Sequence, residues 1–205
     1  MTSLRCLKGD RSGLLYLAFN QDNTCISVSD MTGIRIFTLE KSEHVLRLDM
    51  GAISIAQMLY CTSLLAYVGA GEQPSLTPRR VTLLNTATNL PIQQLTYSST
   101  VLAVLLNREH LVVVCELRSF VYLLRDLGAV QTIEHPSNPR GVGALSGQHE
   151  PCSLLALPSS SSAGLLRLYE LRGEACALLA ELRAHSAPLA CLTLSPDGQL
   201  LASAS

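Results

Sequence analysis

The chain has 205 residues, enough to bury a sizeable core as one large or two small domains, and at 48% hydrophobic and 15% charged it is not disordered over most of its length. A net charge of -1 excludes a general attraction to nucleic acid, so any anion site is local and no nucleic-acid partner is expected. Thirteen of the fifteen cations are arginines and only Lys8 and Lys41 are lysines, a bias that suits forked hydrogen bonds to carboxylates or phosphates.

Residues 14–19 are apolar and β-compatible, Asn20-Gln21-Asp22-Asn23 is turn-forming, residues 25–29 alternate, and Met31-Thr32-Gly33 introduces Ile34-Arg35-Ile36-Phe37. That is strand, turn, strand, turn, strand. The valine-rich runs 101–106 and 111–115, separated by Asn107 to His110, predict a buried hairpin rather than one helix. Residues 69–78 hold Gly69, Gly71, Pro74 and Pro78, and residues 158–164 hold a serine run. Both predict exposed loops. At the end of the chain, residues 189–194, the tight turn Ser195-Pro196-Asp197-Gly198 and residues 200–205 repeat the chemistry of the first hairpin, a pairing of the WD-repeat kind. The last apolar run has no turn after it and reads as a chain cut inside a repeat.

Four segments share the look of an outer strand between turns: residues 33–40, 79–87, 118–126 and 164–171. Their starts lie 46, 39 and 46 residues apart. That spacing brackets the roughly 40 to 45 residues of a four-stranded propeller blade. No linker long and polar enough to separate two domains is present. The expectation is therefore an all-β, WD40-like β-propeller, a single incomplete domain over residues 1–205 with about four blades and the start of a fifth.

The seven cysteines, from Cys6 to Cys191, never approach Cys-x-x-Cys spacing, which argues against a zinc site or a secreted disulfide framework. Cys25, Cys115 and Cys191 lie in or beside candidate strands and read as buried reduced thiols of a cytosolic protein. Arg5, Lys8, Asp10 and Arg11 precede any useful apolar run, unlike a secretory signal, and Asn107 to His110 interrupt the most apolar window. The histidines show no metal-ligand spacing, and His44 and His149, with polar neighbours, read as solvated loop positions. No nucleophile elbow is present, and Gly69-Ala70-Gly71 lacks the rest of a phosphate loop. No enzyme activity and no cofactor are expected.

Four stretches, in order, carry a family resemblance: Asn20-Gln21-Asp22-Asn23; Tyr97-Ser98-Ser99-Thr100-Val101-Leu102-Ala103-Val104 with Leu106-Asn107-Arg108; Asn138-Pro139-Arg140-Gly141-Val142-Gly143-Ala144-Leu145-Ser146; and Ala184-His185-Ser186-Ala187-Pro188-Leu189-Ala190 with Ala202-Ser203-Ala204-Ser205. The chain resembles the PROPPIN family, also called WIPI proteins, the phosphoinositide-binding propellers of autophagy. The likeness is nearest to the type that engages the conjugation machinery.

The resemblance implies a seven-bladed ring, cytoplasmic and recruited to phagophore and endosomal membranes, that binds phosphatidylinositol 3-phosphate and 3,5-bisphosphate at two pockets flanking a tandem-arginine motif. His185, Ser203 and Ser205 fall on positions lining the first pocket. Arg108 and Arg125 fall where family members hold the conjugation scaffold. The tandem-arginine motif would follow Ser205, and the only adjacent arginines here, Arg79-Arg80, lie in another repeat. The expected function is an autophagy scaffold whose lipid site is impaired in this chain. The alternative is a protein-interaction scaffold without a lipid role.

Overall fold

The structure is a computed structural model that describes residues 13–41, 43–147 and 152–205, and its regular elements there are strands and one 3-10 turn, Pro74–Leu76. The first sheet contains β1 (Leu14–Phe19), β2 (Cys25–Asp30), β3 (Gly33–Thr38) and β4 (His44–Asp49) in sequence order. The second holds β5 (Ile53–Met58), β6 (Leu64–Gly69), β7 (Arg80–Asn85) and β8 (Leu90–Thr96), and the third β9 (Val101–Leu106), β10 (His110–Cys115), β11 (Arg118–Leu123) and β12 (Ala129–Glu134). The fourth comprises β13 (Ala144–Leu145), β14 (Ser153–Pro158), β15 (Gly164–Arg172) and β16 (Ala175–His185), and β17 (Cys191–Leu194) and β18 (Leu201–Ala204) form a two-stranded fifth. Each strand pairs antiparallel with the next within its sheet.

The core lies between consecutive sheets. Ile34, Ile36 and Leu48 of the first sheet meet Ile53, Ala56 and Leu65 of the second. Ile55, Val68 and Val81 meet Val104, Leu111 and Val113 of the third. Val112, Val114 and Val121 meet Leu155, Leu157 and Leu171 of the fourth, and Ala156 and Leu166 meet Leu192 of the fifth. Side chains of a strand point alternately to its two faces. In β10, Leu111 and Val113 therefore feed one core, while Val112 and Val114 feed the next. Apolar side chains on both faces explain why residues 111–115 of β10 are buried.

The four segments expected as outer strands are instead third strands, β3, β7, β11 and β15, each covered by a further strand. Those edge strands are mostly solvated, with exposed runs such as Leu90 to Gln94 in β8 and Ala177 to Leu179 in β16. Their weak apolar periodicity hid them. Two expected positions also change. Cys191 is exposed, because it points away from the core side of β17 that Leu192 occupies. His44 is exposed but opens β4 rather than a loop, its ring edge-on to Phe37 with centroids 5.3 Å apart. His149 and Cys6 lie outside the described residues.

Antiparallel order divides the loops between two ends. Connections from first to second and from third to fourth strands emerge on what we term the hairpin face. Those from second to third strands, and from one sheet to the next, emerge on the connector face. On the hairpin face, Asn20 Oδ1 accepts the Thr24 and Cys25 N–H groups at 2.9 and 3.0 Å, while Asn23 turns the chain at φ 57°. Gln21 ties three sheets together: its Nε2 donates to the carbonyls of Met58 and Leu106, and its Oε1 accepts from Tyr60 N.

Candidate functional site

Arg108 follows the end of β9 on the hairpin face and is exposed. Its guanidinium carbon lies 4.6 Å from the centroid of the Tyr60 ring in the β5–β6 turn, a cation–π contact that holds the side chain upright without consuming its hydrogen-bond donors. Among the described residues it forms no ion pair. Arg125, in the β11–β12 turn, is exposed on the same face. It is occupied: Nη2 meets Glu174 Oε1 at 2.9 Å and Nε meets Asp126 Oδ2 at 3.3 Å. The two arginines thus differ in readiness for an acidic ligand.

The turn that carries Arg108 is fixed by buried polar bonds that sequence reasoning missed. Asn107 is fully buried. Its Oδ1 accepts the N–H groups of Glu109 and His110 at 3.0 and 2.7 Å, and its Nδ2 donates to Ser146 O and Ser153 Oγ at 3.1 and 2.9 Å. One amide thereby shapes the turn that carries Arg108 and bolts it to the fourth sheet. His110, also fully buried, sets Nε2 3.0 Å from Gly173 O, and since a carbonyl only accepts, Nε2 carries the hydrogen. Glu109 Oε1 accepts from Gly173 N at 3.2 Å, so the β9–β10 and β15–β16 turns are bonded together.

The connector face holds the other predicted set. His185 ends β16 and is half-buried, and its Nε2 lies 2.9 Å from the half-buried Ser203 Oγ of β18. Gly164, opposite His185, permits this approach: a Cβ there would sit 2.5 Å from the His185 Cβ and 2.8 Å from Ala187 O. The structure therefore joins His185 and Ser203, but as partners of each other. Ser205 is exposed beyond β18 and is not drawn into that bond.

Two further features lie on this face. Asp30 accepts Thr32 N, Thr32 Oγ1 and Gly33 N at 2.7, 2.6 and 3.1 Å through Oδ1 and pairs with Arg35 at 3.2 Å through Oδ2. Burial alone would raise its pKa, but these hydrogen bonds and the Arg35 charge outweigh it and hold the carboxyl below its ordinary value. Adjoining clefts of about 440 and 400 Å³ open around Ser98, Ser99 and Glu116. Arg79 and Arg118 line them, but so do Glu116 and Glu134, and Arg118 is paired with Glu134 at 3.1 Å. That mixed lining favours neither sign of ligand. The Gly69-Ala70-Gly71 backbone is likewise consumed, since Ala70 N and Gly71 N donate to Ala52 O and Leu76 O. Among the described residues no group of three or more His, Cys, Asp or Glu could hold a metal, and no helix is long and apolar enough to cross a membrane.

Four-stranded antiparallel sheets stacked through shared cores, with polar side chains on the loops at both ends, define a β-propeller of WD40-like blades. The sequence profile of the PROPPIN family matches residues 13–205, and the chain belongs to that family. It is similar to autophagy-related protein 18b of Arabidopsis thaliana, 38% identical over 197 residues that make up 95% of this chain and 52% of that protein. Its fold is similar to KlAtg21, solved in complex with the coiled coil of AgAtg16, with a TM-score of 0.79 and 27% identity over 94% of this chain and 62% of that one. It also matches Kluyveromyces lactis Hsv2 with a TM-score of 0.77, covering 95% of this chain and 57% of that one, where 17% identity speaks for the fold alone. The chain spans about half the length of the curated relatives it matches.

Proposed function

We propose that this chain is part of a cytoplasmic autophagy scaffold whose hairpin face takes an acidic segment of the conjugation machinery through Arg108 and Arg125. Its connector face contributes His185, Ser203 and Ser205 to a phosphoinositide pocket on phagophore and endosomal membranes. The observation that carries the reading is Arg108, an exposed guanidinium propped on Tyr60 with no carboxylate partner among the described residues. KlAtg21 is solved in complex with the coiled coil of AgAtg16, and a coiled-coil segment bearing carboxylates would supply the anion that Arg108 lacks. Opposite faces let one molecule hold partner and membrane at once.

A specific observation also favours the scaffold without a lipid role: His185 and Ser203 already satisfy each other. The pocket reading requires cations that these three residues do not supply. Isothermal titration with a conjugation-scaffold coiled coil, run beside liposome flotation, separates the two. Reversing both arginines, Arg108→Glu with Arg125→Glu, is expected to abolish coiled-coil binding without altering flotation. Unchanged coiled-coil affinity in that variant removes the partner assignment.

A further inference from the structure

Cys25 and Cys61 bring their sulfur atoms to 3.9 Å across the boundary between the first and second sheets. Cys25 opens β2 and is buried, whereas Cys61 is exposed in the β5–β6 turn. The two are separated by 36 residues and by no recognisable motif, so stacking of the two hairpins creates the pair. Cys61 Sγ also accepts a hydrogen bond from Asn20 Nδ2 at 3.7 Å and lies 3.3 Å from Thr24 Oγ1. Both contacts come from the hairpin that carries Cys25, and they hold the exposed sulfur over the buried one. No second pair of cysteine sulfurs among the described residues makes such a contact.

We propose that Cys25 and Cys61 form a peroxide-oxidisable thiol pair that closes to a disulfide joining the first two sheets. Cys61, the thiol that solvent reaches, attacks hydrogen peroxide; the O–O bond breaks, one oxygen stays on sulfur as a sulfenic acid, and the other leaves as water after taking a proton. The Cys25 sulfur then attacks the Cys61 sulfur. The S–O bond breaks, and hydroxide leaves as a second water with the Cys25 proton. Two thiols lose two electrons, and one peroxide is reduced to two waters.

Closing the sulfurs to about 2.0 Å requires rotation about the Cα–Cβ bonds and a small displacement of the turn. Cys61, Thr62 and Ser63 are exposed, so the turn is free to shift toward Cys25, whose own side chain belongs to the core between the first two sheets. Burial, and then the neighbouring Cys61, push the Cys25 thiol above its ordinary pKa, so the closing step accelerates as pH rises. A consequence for the partner rests on the reading of Arg108 given above. Tyr60, which carries Arg108, immediately precedes Cys61 and moves with it.

The test treats the whole chain with excess hydrogen peroxide, blocks free thiols with iodoacetamide and digests with trypsin without reduction. Cys25 leaves on the peptide ending at Arg35 and Cys61 on the peptide ending at Arg79, so a cross-link joins two separate peptides. The expected product is that linked pair, lost on adding dithiothreitol and at least about tenfold more abundant than any other cysteine pair. Cys61→Ser, an exposed substitution that spares the core, removes it. Recovery of Cys61 as sulfinic or sulfonic acid without the link, or links spread evenly over Cys115 and Cys152, overturns the proposal. A chain that forms the disulfide yet binds the acidic coiled coil unchanged leaves the cross-link standing and removes only its consequence for the partner.

Discussion

Arg108 lays its guanidinium 4.6 Å from the Tyr60 ring centroid and so joins the third sheet's hairpin to the second's. A cation–π contact at an exposed site is worth about 0.5–1 kcal/mol, a few-fold in an equilibrium constant. If the contact pre-orders Arg108 for an acidic partner, Tyr60→Leu weakens partner binding by about that factor, whereas Tyr60→Phe, which keeps the π face, leaves it within error. Both replacements must accept the same φ of 46° at position 60, so backbone cost cancels between them. Equal titration curves for Leu and Phe would count against the platform.

Asn107 supports the same turn from below, and its removal acts on stability first. Alanine there strands the His110 N–H group and the Ser146 carbonyl in a buried setting and the Glu109 N–H group in a partly buried one. Leaving a buried polar group unmatched costs about 1–3 kcal/mol. Asn107→Ala should therefore lower the urea midpoint clearly, with the slope unchanged, while Arg108→Ala, an exposed truncation, moves it little. Similar midpoints for the two variants would show that the amide does not bolt the sheets together.

Much of this architecture was legible because blades repeat. Turn residues at Asn20 to Asn23 and Ser195 to Gly198, and the recurrence of one strand per blade, mark the sheets in the sequence alone, although that strand is the third and not the outer one. The fourth strands were not legible: on an exposed edge, residues such as Gln93 and Gln94 carry no packing pattern. Sites fared unevenly for a physical reason. Arg108 and Arg125 are exposed arginines on turns, which a sequence can suggest, but the Glu174 that occupies Arg125 lies 49 residues away in the turn of another sheet. The Cys25–Cys61 contact likewise arises from stacking, and local spacing carries no trace of it.

Asp30 links the fold to pH. Its folded-state pKa lies below its ordinary value of 3.8, so its contribution to stability is fully present above that value and is lost as pH falls through the lower, folded one. Unfolding free energy measured from about pH 5 downward should therefore fall more steeply for the native chain than for Asp30→Asn, which keeps an acceptor for Thr32 and Gly33 but carries no titrating charge. Parallel curves would mean that other carboxyls dominate acid unfolding.

His185 Nε2 and Ser203 Oγ lie 2.9 Å apart, and one of the two donates to the other. If the imidazole donates, the serine hydroxyl hydrogen remains for a phosphate; if the serine donates, only the second ring nitrogen can. With a neutral imidazole, either arrangement offers one donor from the pair, and Ser205 adds one hydroxyl that water also solvates. A phosphate held by neutral donors near the surface lacks the fixed charge that makes such bonds strong. This chain should therefore show little headgroup-specific flotation with liposomes carrying phosphatidylinositol 3-phosphate, beside strong flotation of a longer family member bearing the tandem arginine. In the same chain, Ser203→Ala should leave flotation unchanged while lowering the thermal midpoint, because it breaks the bond that ties β16 to β18. Tight, headgroup-specific flotation of this chain, lost in Ser203→Ala, would show that the hydroxyl and imidazole suffice and that the added cations are dispensable.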